Sequence, residues 1–466
     1  MGYLKTKQLD NIGYSTDKQK SMAINTIAKY FKHRNANDII ALLADIRNRP
    51  ETYLNDPATQ KIAGLFMSDT IKQTANSFEL TQHTLPFKIY GEAHIEASAI
   101  KQMELALSLP VSVQGALMPD AHSGYGLPIG GVLATRNAVI PYGVGMDIGC
   151  RMALTIIDAG EKFIDRYTHQ IKQAINTHTH FGMEGALDIC QDHEVLDDPA
   201  FRETPLLKKL HGKAVKQLGS SGSGNHFVDI GEVSLADNNA MGLPANKYMA
   251  LLSHSGSRGL GANIARHYTQ IAMNTCKLPR EVQPLAWLDL NSEAGREYWL
   301  SMTLAGDYAR ACHDRIHSNL LKALGLKPLF KVENHHNFAW KDRLADGTEV
   351  IIHRKGATPA HDGELGIIPG SMTAPAYLVI GKGKPEALYS AAHGAGRAMS
   401  RQQARESNTN SALKKMLAGA DVSLIGGSLE ENPSAYKDIE MIMQAQTELI
   451  IVQGVFSPRI VRMNEE

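Results

Sequence analysis

The spacing of apolar and polar residues changes character near residue 85. Before it the chain is polar and nearly free of glycine, and apolar residues return every three or four positions, as on one face of a helix. Between Lys18 and His33 that spacing selects Ile24, Ile27, Ala28 and Phe31. Between Asn37 and Arg47 it selects Ile39, Leu42, Leu43 and Ile46, with Pro50 as the stop. Asp56 followed by Pro57 has the form of an N-cap and first-turn proline, opening a third helix that turns Ile62, Leu65 and Phe66 inward. Beyond residue 86 the spacing shortens. Phe87–Tyr90, Val111–Leu117, Met152–Ile157, Phe227–Ile230, Tyr248–Leu252, Glu349–His353 and Tyr377–Ile380 read as strands, and Ile95–Leu107 as a helix burying Ala99, Ile100, Met103 and Leu107. The pattern predicts an α+β protein: a helical N-terminal extension over residues 1–85, then a single large mixed α/β catalytic domain over 86–466 with functional loops at its strand ends.

Composition narrows the function. Forty-three per cent hydrophobic and 21 per cent charged residues describe an ordinary globular chain and exclude disordered and fibrous proteins. Lys plus Arg equal Asp plus Glu at 48 each, so any nucleic-acid contact must rest on a local basic surface. Cys150, Cys190, Cys276 and Cys312 stand far apart without a CxxC pair, which suits a reducing compartment, and the cytoplasm is the expected location. The start lacks a signal-peptide core, and no stretch approaches the roughly 20 apolar residues that span a bilayer, so no membrane is expected. Gly2 to Thr6 fits the loose myristoylation pattern, but so short a match is ordinarily coincidence.

Forty glycines and 19 histidines stand out from this composition, and from about residue 111 they concentrate together. Asp147 and Cys150 put a carboxylate and a thiol three residues apart after a glycine-rich turn, while His226, His254 and His336 each sit in a polar, loop-like setting. A thiolate, a carboxylate and three imidazoles suffice for one or two transition-metal ions; taken singly, each is more simply a core filler or a satisfied polar residue. Gly219–Gly224, Ser253–Gly261 and His393–Arg397 carry the glycines and hydroxyl or guanidinium groups that cradle phosphate, without a Walker or dinucleotide fingerprint, and each is also compatible with a plain tight turn. Arg258, Arg354, Lys355, Arg397 and Arg401 recur beside them, and a helix opening after Gly396 would put Arg397 and Arg401 on one face. His393 is a candidate nucleophile toward phosphorus, though general base and metal ligand stay open. The residues alone thus point to a metal-dependent enzyme acting on phosphate esters.

In order along residues 86–440, Met118–Gly131, Asp147–Cys150, Gly222–Phe227, Ser253–Gly259, His335–Asn337, Arg354–Ala357, Ile368–Met372 and His393–Arg397 resemble the motifs of the RtcB family of RNA ligases. The resemblance implies two Mn2+ ions bridged by Cys150, with Asp147 and His226 completing one and His254 and His336 the other. It implies that His393 carries a guanylate from GTP. It also implies a nucleotide pocket formed by Asn225, His226, Phe227, Val228, Asp229, His336, Asn337, Pro369, Gly370, Ser371, Met372, Ala376, Gly394, Ala395, Gly396 and Arg462. The partners would be RNAs ending in a 3′-phosphate or 2′,3′-cyclic phosphate and in a 5′-hydroxyl, guided by Lys355, Arg258 and Arg401, in RNA repair or tRNA splicing; an activating protein is a further candidate. The chain departs from the family at Asp229, where glutamate is usual, at Ala376 and Arg151, where serine and glycine are common, and at Arg462, which stands in place of a terminal lysine. Two alternative readings are a metal-dependent RNA phosphoesterase or cyclic phosphodiesterase that opens ends without sealing them, and a catalytically degenerate RNA- or ribosome-binding protein.

Overall fold

The structure, a computed structural model, describes residues 6–465 apart from 33, 54–55, 71–75, 83–84, 86, 161, 183–184, 186 and 188. Residues 2–5 of the myristoylation pattern lie outside the described residues, as does His33 at the end of the first predicted helix. The chain forms two compact units, residues 1–76 and 77–466.

The smaller unit is helical: Thr6–Asn11, Asp17–Tyr30, Ala36–Asn48 and Gln60–Thr70. Thr16 opens the second helix with a capping box, its hydroxyl accepting from Gln19 N at 3.2 Å while the Gln19 side chain accepts from Thr16 N at 3.1 Å. Leu9, Tyr14, Ala23, Ile39, Leu43, Ile46, Ile62 and Phe66 close its core, and the Tyr14 hydroxyl donates to the Leu43 carbonyl at 2.9 Å. The second helix is rotated from the predicted face. Gln19, Ala23 and Thr26 are buried, whereas Ile24 is 39% exposed, because the cap turns Gln19 inward and small Ala23 lets the neighbouring helices approach. The third predicted helix begins at Gln60 instead of Pro57; Asp56 caps the turn before it, accepting from Ala58 N at 2.9 Å.

The larger unit is built on two sheets. The main one runs Lys327–His335, Arg151–Asp158, Lys247–Ser255, Phe227–Leu235, Ile450–Glu465, Ala376–Gly381, Leu365–Pro369, each pair antiparallel, with Ser423–Gly427 added parallel to Ile450–Glu465. The sheet curls until its ends meet. Asn334 of the first strand donates to the Ile367 carbonyl at 3.3 Å and accepts from Ile367 N at 3.0 Å, so a side chain bridges two strand edges that would otherwise leave their amides unpaired. Side chains alternate between the faces. Met152, Leu154, Ala250, Leu252, Leu378 and Phe456 fill the inside, while Ile157, Val228, Ile230, Leu251 and Ile460 pack outward with Ile171 and Ile175 of helix Phe163–His178 and Ile316 and Leu320 of helix Glu293–Leu324. The second sheet, Asn337–Arg343, Glu349–Lys355, Ile129–Thr135, Ser112–His122 and Phe87–Ile89, receives the chain directly from the first at His336. This is an α+β architecture, and among the described residues no helix is long and apolar enough to cross a membrane.

Candidate active site

One end of the curled sheet opens into a cavity of about 1030 Å3. Strand alternation decides what faces it. Phe227 and Asp229 from one strand, Leu252 and His254 from the next, Met152, Ala376, Val461 and Met463 all line it. The Pro369–Met372 turn, the His393–Arg401 segment, His122, Ser123 and Tyr125, and Glu431 with Tyr436 add further wall.

Behind His254 lies the donor cluster. The Cys150 thiol is 3.4 Å from His226 Nε2 and 3.2 Å from His254 Nε2; His254 Nε2 is 3.3 Å from His336 Nε2, and His226 Nε2 is 3.1 Å from the Asp147 carboxylate. The ligand atoms fall into two groups that share Cys150, one with Asp147 and His226 and one with His254 and His336. Backbone geometry brings them together: His336 N donates to the Cys150 carbonyl at 3.0 Å, and Gly149 N donates to the Asn337 carbonyl at 2.8 Å. Gly149 has a left-handed φ of 70°, and a Cβ there would lie 2.7 Å from the Gly306 Cα, so the turn requires glycine.

The electrostatics favour a cation. Burial pushes His254 down to about 3 and His336 well below its ordinary range, so both are neutral imidazoles, the form that ligates metal. Burial and the neighbouring Asp147 push the Cys150 thiol up. Burial works against the Asp147 carboxylate, but His226 and the Cys150 thiol outweigh it and keep the carboxyl low. Converging nitrogen, sulfur and oxygen lone pairs in so buried a space have too few protons to share, and transition-metal ions fit this donor set. His254 is further oriented by its Nδ1, which donates to the Asn225 carbonyl at 3.0 Å.

His393 stands across from the cluster, its ring centroid 4.9 Å from that of His336. Its Nδ1 donates to Asp120 Oδ2 at 2.6 Å, and the same oxygen accepts from His393 N at 3.1 Å. Asp120 is fully buried, so the ring is held with Nε2 as its free nitrogen. Sequence reasoning missed Asp120, although it lies in the Met118–Gly131 motif; its partner is 273 residues away and no local spacing joins them. Glu431 was also missed: buried at the cavity wall, it takes Arg397 at 3.2 Å, Arg401 at 3.7 Å and the Tyr436 hydroxyl.

Several expected residues stand elsewhere. Val228 and Arg462 pair directly across two strands and share the outer face; Val228 joins an apolar cluster and the Arg462 guanidinium lies 5.3 Å over the Phe181 ring, so neither lines the cavity. His226 and Asn337 do not line it either: His226 turns to Cys150 and Asp147 in the donor cluster, and the Asn337 side chain accepts from Gly356 N at 2.9 Å and donates to the Asp147 carbonyl at 3.3 Å. Asn225, Phe227, Asp229, His336, Pro369, Gly370, Ser371, Met372, Ala376, Gly394, Ala395 and Gly396 all do.

Of the three glycine-rich segments only His393–Arg397 is a cavity wall along its length. In the second, the N-terminus of helix Arg258–Thr275 takes the chain's own anion, Ser257 N donating to Asp147 at 3.1 Å; in the first, Ser221 donates to the His254 carbonyl at 3.4 Å. Arg258 is buried and bonded to Ser220 and the Gly182 carbonyl, and Arg354 is buried over Trp340 and bonded to Ser390, so both cations are engaged internally. Lys355 is buried too and donates to the Tyr125 carbonyl. The helix expected after Gly396 begins at Arg401 with Ser400 as its cap, so Glu431, and not a shared helical face, unites Arg397 with Arg401.

A family model described as tRNA-splicing ligase RtcB matches residues 102–203 and 180–463. The RNA-splicing ligase RtcB of Escherichia coli strain K12 is 31% identical over 411 residues, covering 80% of this chain and 96% of that protein. The protein of the same name from Mycobacterium tuberculosis is 30% identical over 395 residues, covering 70% and 91%, and the tRNA-splicing ligase RtcB of Methanococcus maripaludis is 29% identical over 423 residues, covering 75% and 87%. A match that runs from residue 102 to 463, through the whole main sheet up to that point and through all five ligands and His393, leaves one conclusion: the chain belongs to the RtcB family.

Proposed function

We propose that the chain is an RNA ligase that joins an RNA 3′-phosphate or 2′,3′-cyclic phosphate end to a 5′-hydroxyl end, using GTP and two manganese ions. The observation that carries this reading is the placement of His393, backed by buried Asp120, across one cavity from the Asp147, Cys150, His226, His254 and His336 cluster. Those five residues would hold the metal, which when bound supplies positive charge against phosphate oxygens.

In this reading His393 Nε2 attacks the α-phosphorus of GTP, and the nitrogen–phosphorus bond forms as the bond to pyrophosphate breaks. Asp120 holds the proton on Nδ1 and opposes the charge that develops on the ring. A cyclic RNA end is first opened by water. An oxygen of the RNA 3′-phosphate then displaces the imidazole, restoring His393 and leaving GMP joined to the RNA through a pyrophosphate. The 5′-hydroxyl of the second RNA attacks the RNA phosphorus, loses its proton, and GMP departs. Asp229 would recognise the base: burial pushes its carboxyl well above the usual range, and its Oδ1 has no hydrogen-bond partner among the described residues, an unmet need at the cavity wall that the edge of guanine can meet. Arg397 and Arg401 would receive RNA phosphates, Arg401 being the more exposed.

The test is incubation with manganese and GTP labelled on the α-phosphate, followed by denaturing electrophoresis, for the wild type and His393→Ala. Label on the wild type alone is expected. Absence of label from both, with metal bound and ATP also tried, would sink the ligase reading.

A further inference from the structure

The family match begins at residue 102, and the helical unit of residues 1–76 lies wholly outside it. That unit is charged differently from the rest of the chain. It carries eleven Lys and Arg against seven Asp and Glu, whereas the other 390 residues carry thirty-seven against forty-one.

Its cations are not evenly used. Lys20 pairs with Asp10 at 2.6 Å and Arg49 with Asp45 at 2.7 Å. Where helix Asp17–Tyr30 ends, Lys29, Lys32 and Arg34 come within six residues, all exposed, in a segment without an acidic residue; none has an ion pair among the described residues. Two rings alternate with them. The Lys29 ammonium lies 4.9 Å from the centre of the Tyr30 ring and the Arg34 guanidinium 5.1 Å from that of Phe31, and Tyr30 is 47% exposed. The helix dipole accounts for one of these features, since Lys29 falls in the last turn, where a cation is favoured. It accounts neither for Lys32 and Arg34, which lie beyond the helix, nor for a large aromatic ring left in water.

We propose that Lys29, Tyr30, Lys32 and Arg34 form an RNA-binding surface, taking the phosphates of an unpaired strand on the three cations and one of its bases on Tyr30. Cations track a backbone and an exposed ring stacks on any base, so the surface would hold RNA without reading its sequence. The proposal rests on the ligase reading, which supplies the RNA, and adds an anchor that the nucleotide step does not need.

The test uses the full chain, a labelled oligoribonucleotide whose binding is followed by fluorescence anisotropy across a salt series, and joining assays. Lys29→Ala/Lys32→Ala/Arg34→Ala is expected to weaken binding at least about tenfold and to flatten the salt slope by roughly 2, since each phosphate left without its cation removes ~0.7 from it. Tyr30→Ala is expected to weaken binding by about tenfold with the salt slope unchanged. KM for RNA rises in both while kcat and the GMP label on His393, which requires no RNA, stay at wild-type values. The charge-preserving Lys29→Arg/Lys32→Arg/Arg34→Lys variant stays near wild type. If the wild type binds and joins RNA and the neutralised variant matches it in affinity and slope, the surface is overturned and the ligase reading stands. A wild type that takes no GMP label and joins nothing overturns the ligase reading itself.

Discussion

An imidazole attacks phosphorus through an unprotonated nitrogen, so what matters at His393 is which nitrogen keeps the proton. Asp120 settles that by accepting from both the ring Nδ1 and the backbone N of His393. Asp120→Ala should therefore lower the rate of GMP transfer to His393 by ~10²-fold or more, the cost of losing the partner that orients a catalytic histidine. Asp120→Asn, which keeps an acceptor oxygen but not the charge, should fall between the two; labelling time courses would rank them, and an Asp120→Ala enzyme as fast as the wild type would remove the residue from the mechanism. Asp229 gives a prediction in pH. Its folded carboxyl is raised by burial above an unfolded value of about 4, so the native state keeps a proton that the unfolded chain releases, and stability falls as pH rises from about 4 through the folded value. Asp229→Asn should flatten that decline and leave the variant more stable than the wild type at neutral pH. Urea midpoints at pH 5 and pH 8, with metal chelated, would show it; parallel pH dependence in the two proteins would mean that Asp229 is not the group responsible.

Elements place what residues alone cannot. On strand Lys247–Ser255 the inward His254 is flanked by outward Ser253 and Ser255, and helix Glu293–Leu324 holds both. The Ser255 carbonyl only accepts, so His313 Nε2 donates to it at 3.2 Å; His313 Nδ1 then accepts from Ser253 Oγ at 2.6 Å, Ser253 Oγ accepts from His317 Nε2 at 2.7 Å, and His317 Nδ1 accepts from Thr155 at 2.7 Å. Each proton has one place, and burial keeps both histidines neutral. Ser253→Ala breaks this chain in two without touching the cavity or any metal ligand, and it leaves the buried His313 Nδ1 and His317 Nε2 without their shared partner, so it should lower stability by about 1–3 kcal/mol. A urea midpoint equal to that of the wild type would reduce the chain to packing alone. The strand was legible only as far as Leu252; His254, read as loop-borne, lies on its continuation to Ser255, where period-two alternation puts it on the face of Leu252 and Ser253 on the other. His313 and His317 were not, because they sit at helical spacing on a helix whose partner strand is some 60 residues distant, and nothing local says what they touch. The same limit explains the glycine-rich segments. Composition signals an anion site, but only the fold reveals that the anion at Ser257 is Asp147 and not phosphate. It explains Val228 and Arg462 as well, since the family motif names positions and strand pairing decides the face.

At the scale of the whole molecule, the metal ligands come from segments far apart in the chain: Asp147, Cys150 and His226 on the segments that lead into strands Arg151–Asp158 and Phe227–Leu235, His254 on strand Lys247–Ser255, and His336 in the turn that leaves the main sheet for the second. Ions held there would cross-link the larger unit at its centre. The ligands exist as a set only in the folded state, so binding favours folding, by ~2.7 kcal/mol at a free metal concentration one hundred times the dissociation constant. Residues 1–76 have a separate core, Leu9 to Phe66, and contribute no ligand to that cluster. Scanning calorimetry should accordingly resolve a transition whose midpoint climbs with manganese concentration and drops on chelation, beside a smaller one that ignores metal. In Cys150→Ser the first transition should lose most of its metal dependence, since both ligand groups share that sulfur, while the second keeps its midpoint. One cooperative transition that moves as a whole with metal would contradict the independence of the two cores. A metal response unchanged by Cys150→Ser would instead place the ions elsewhere.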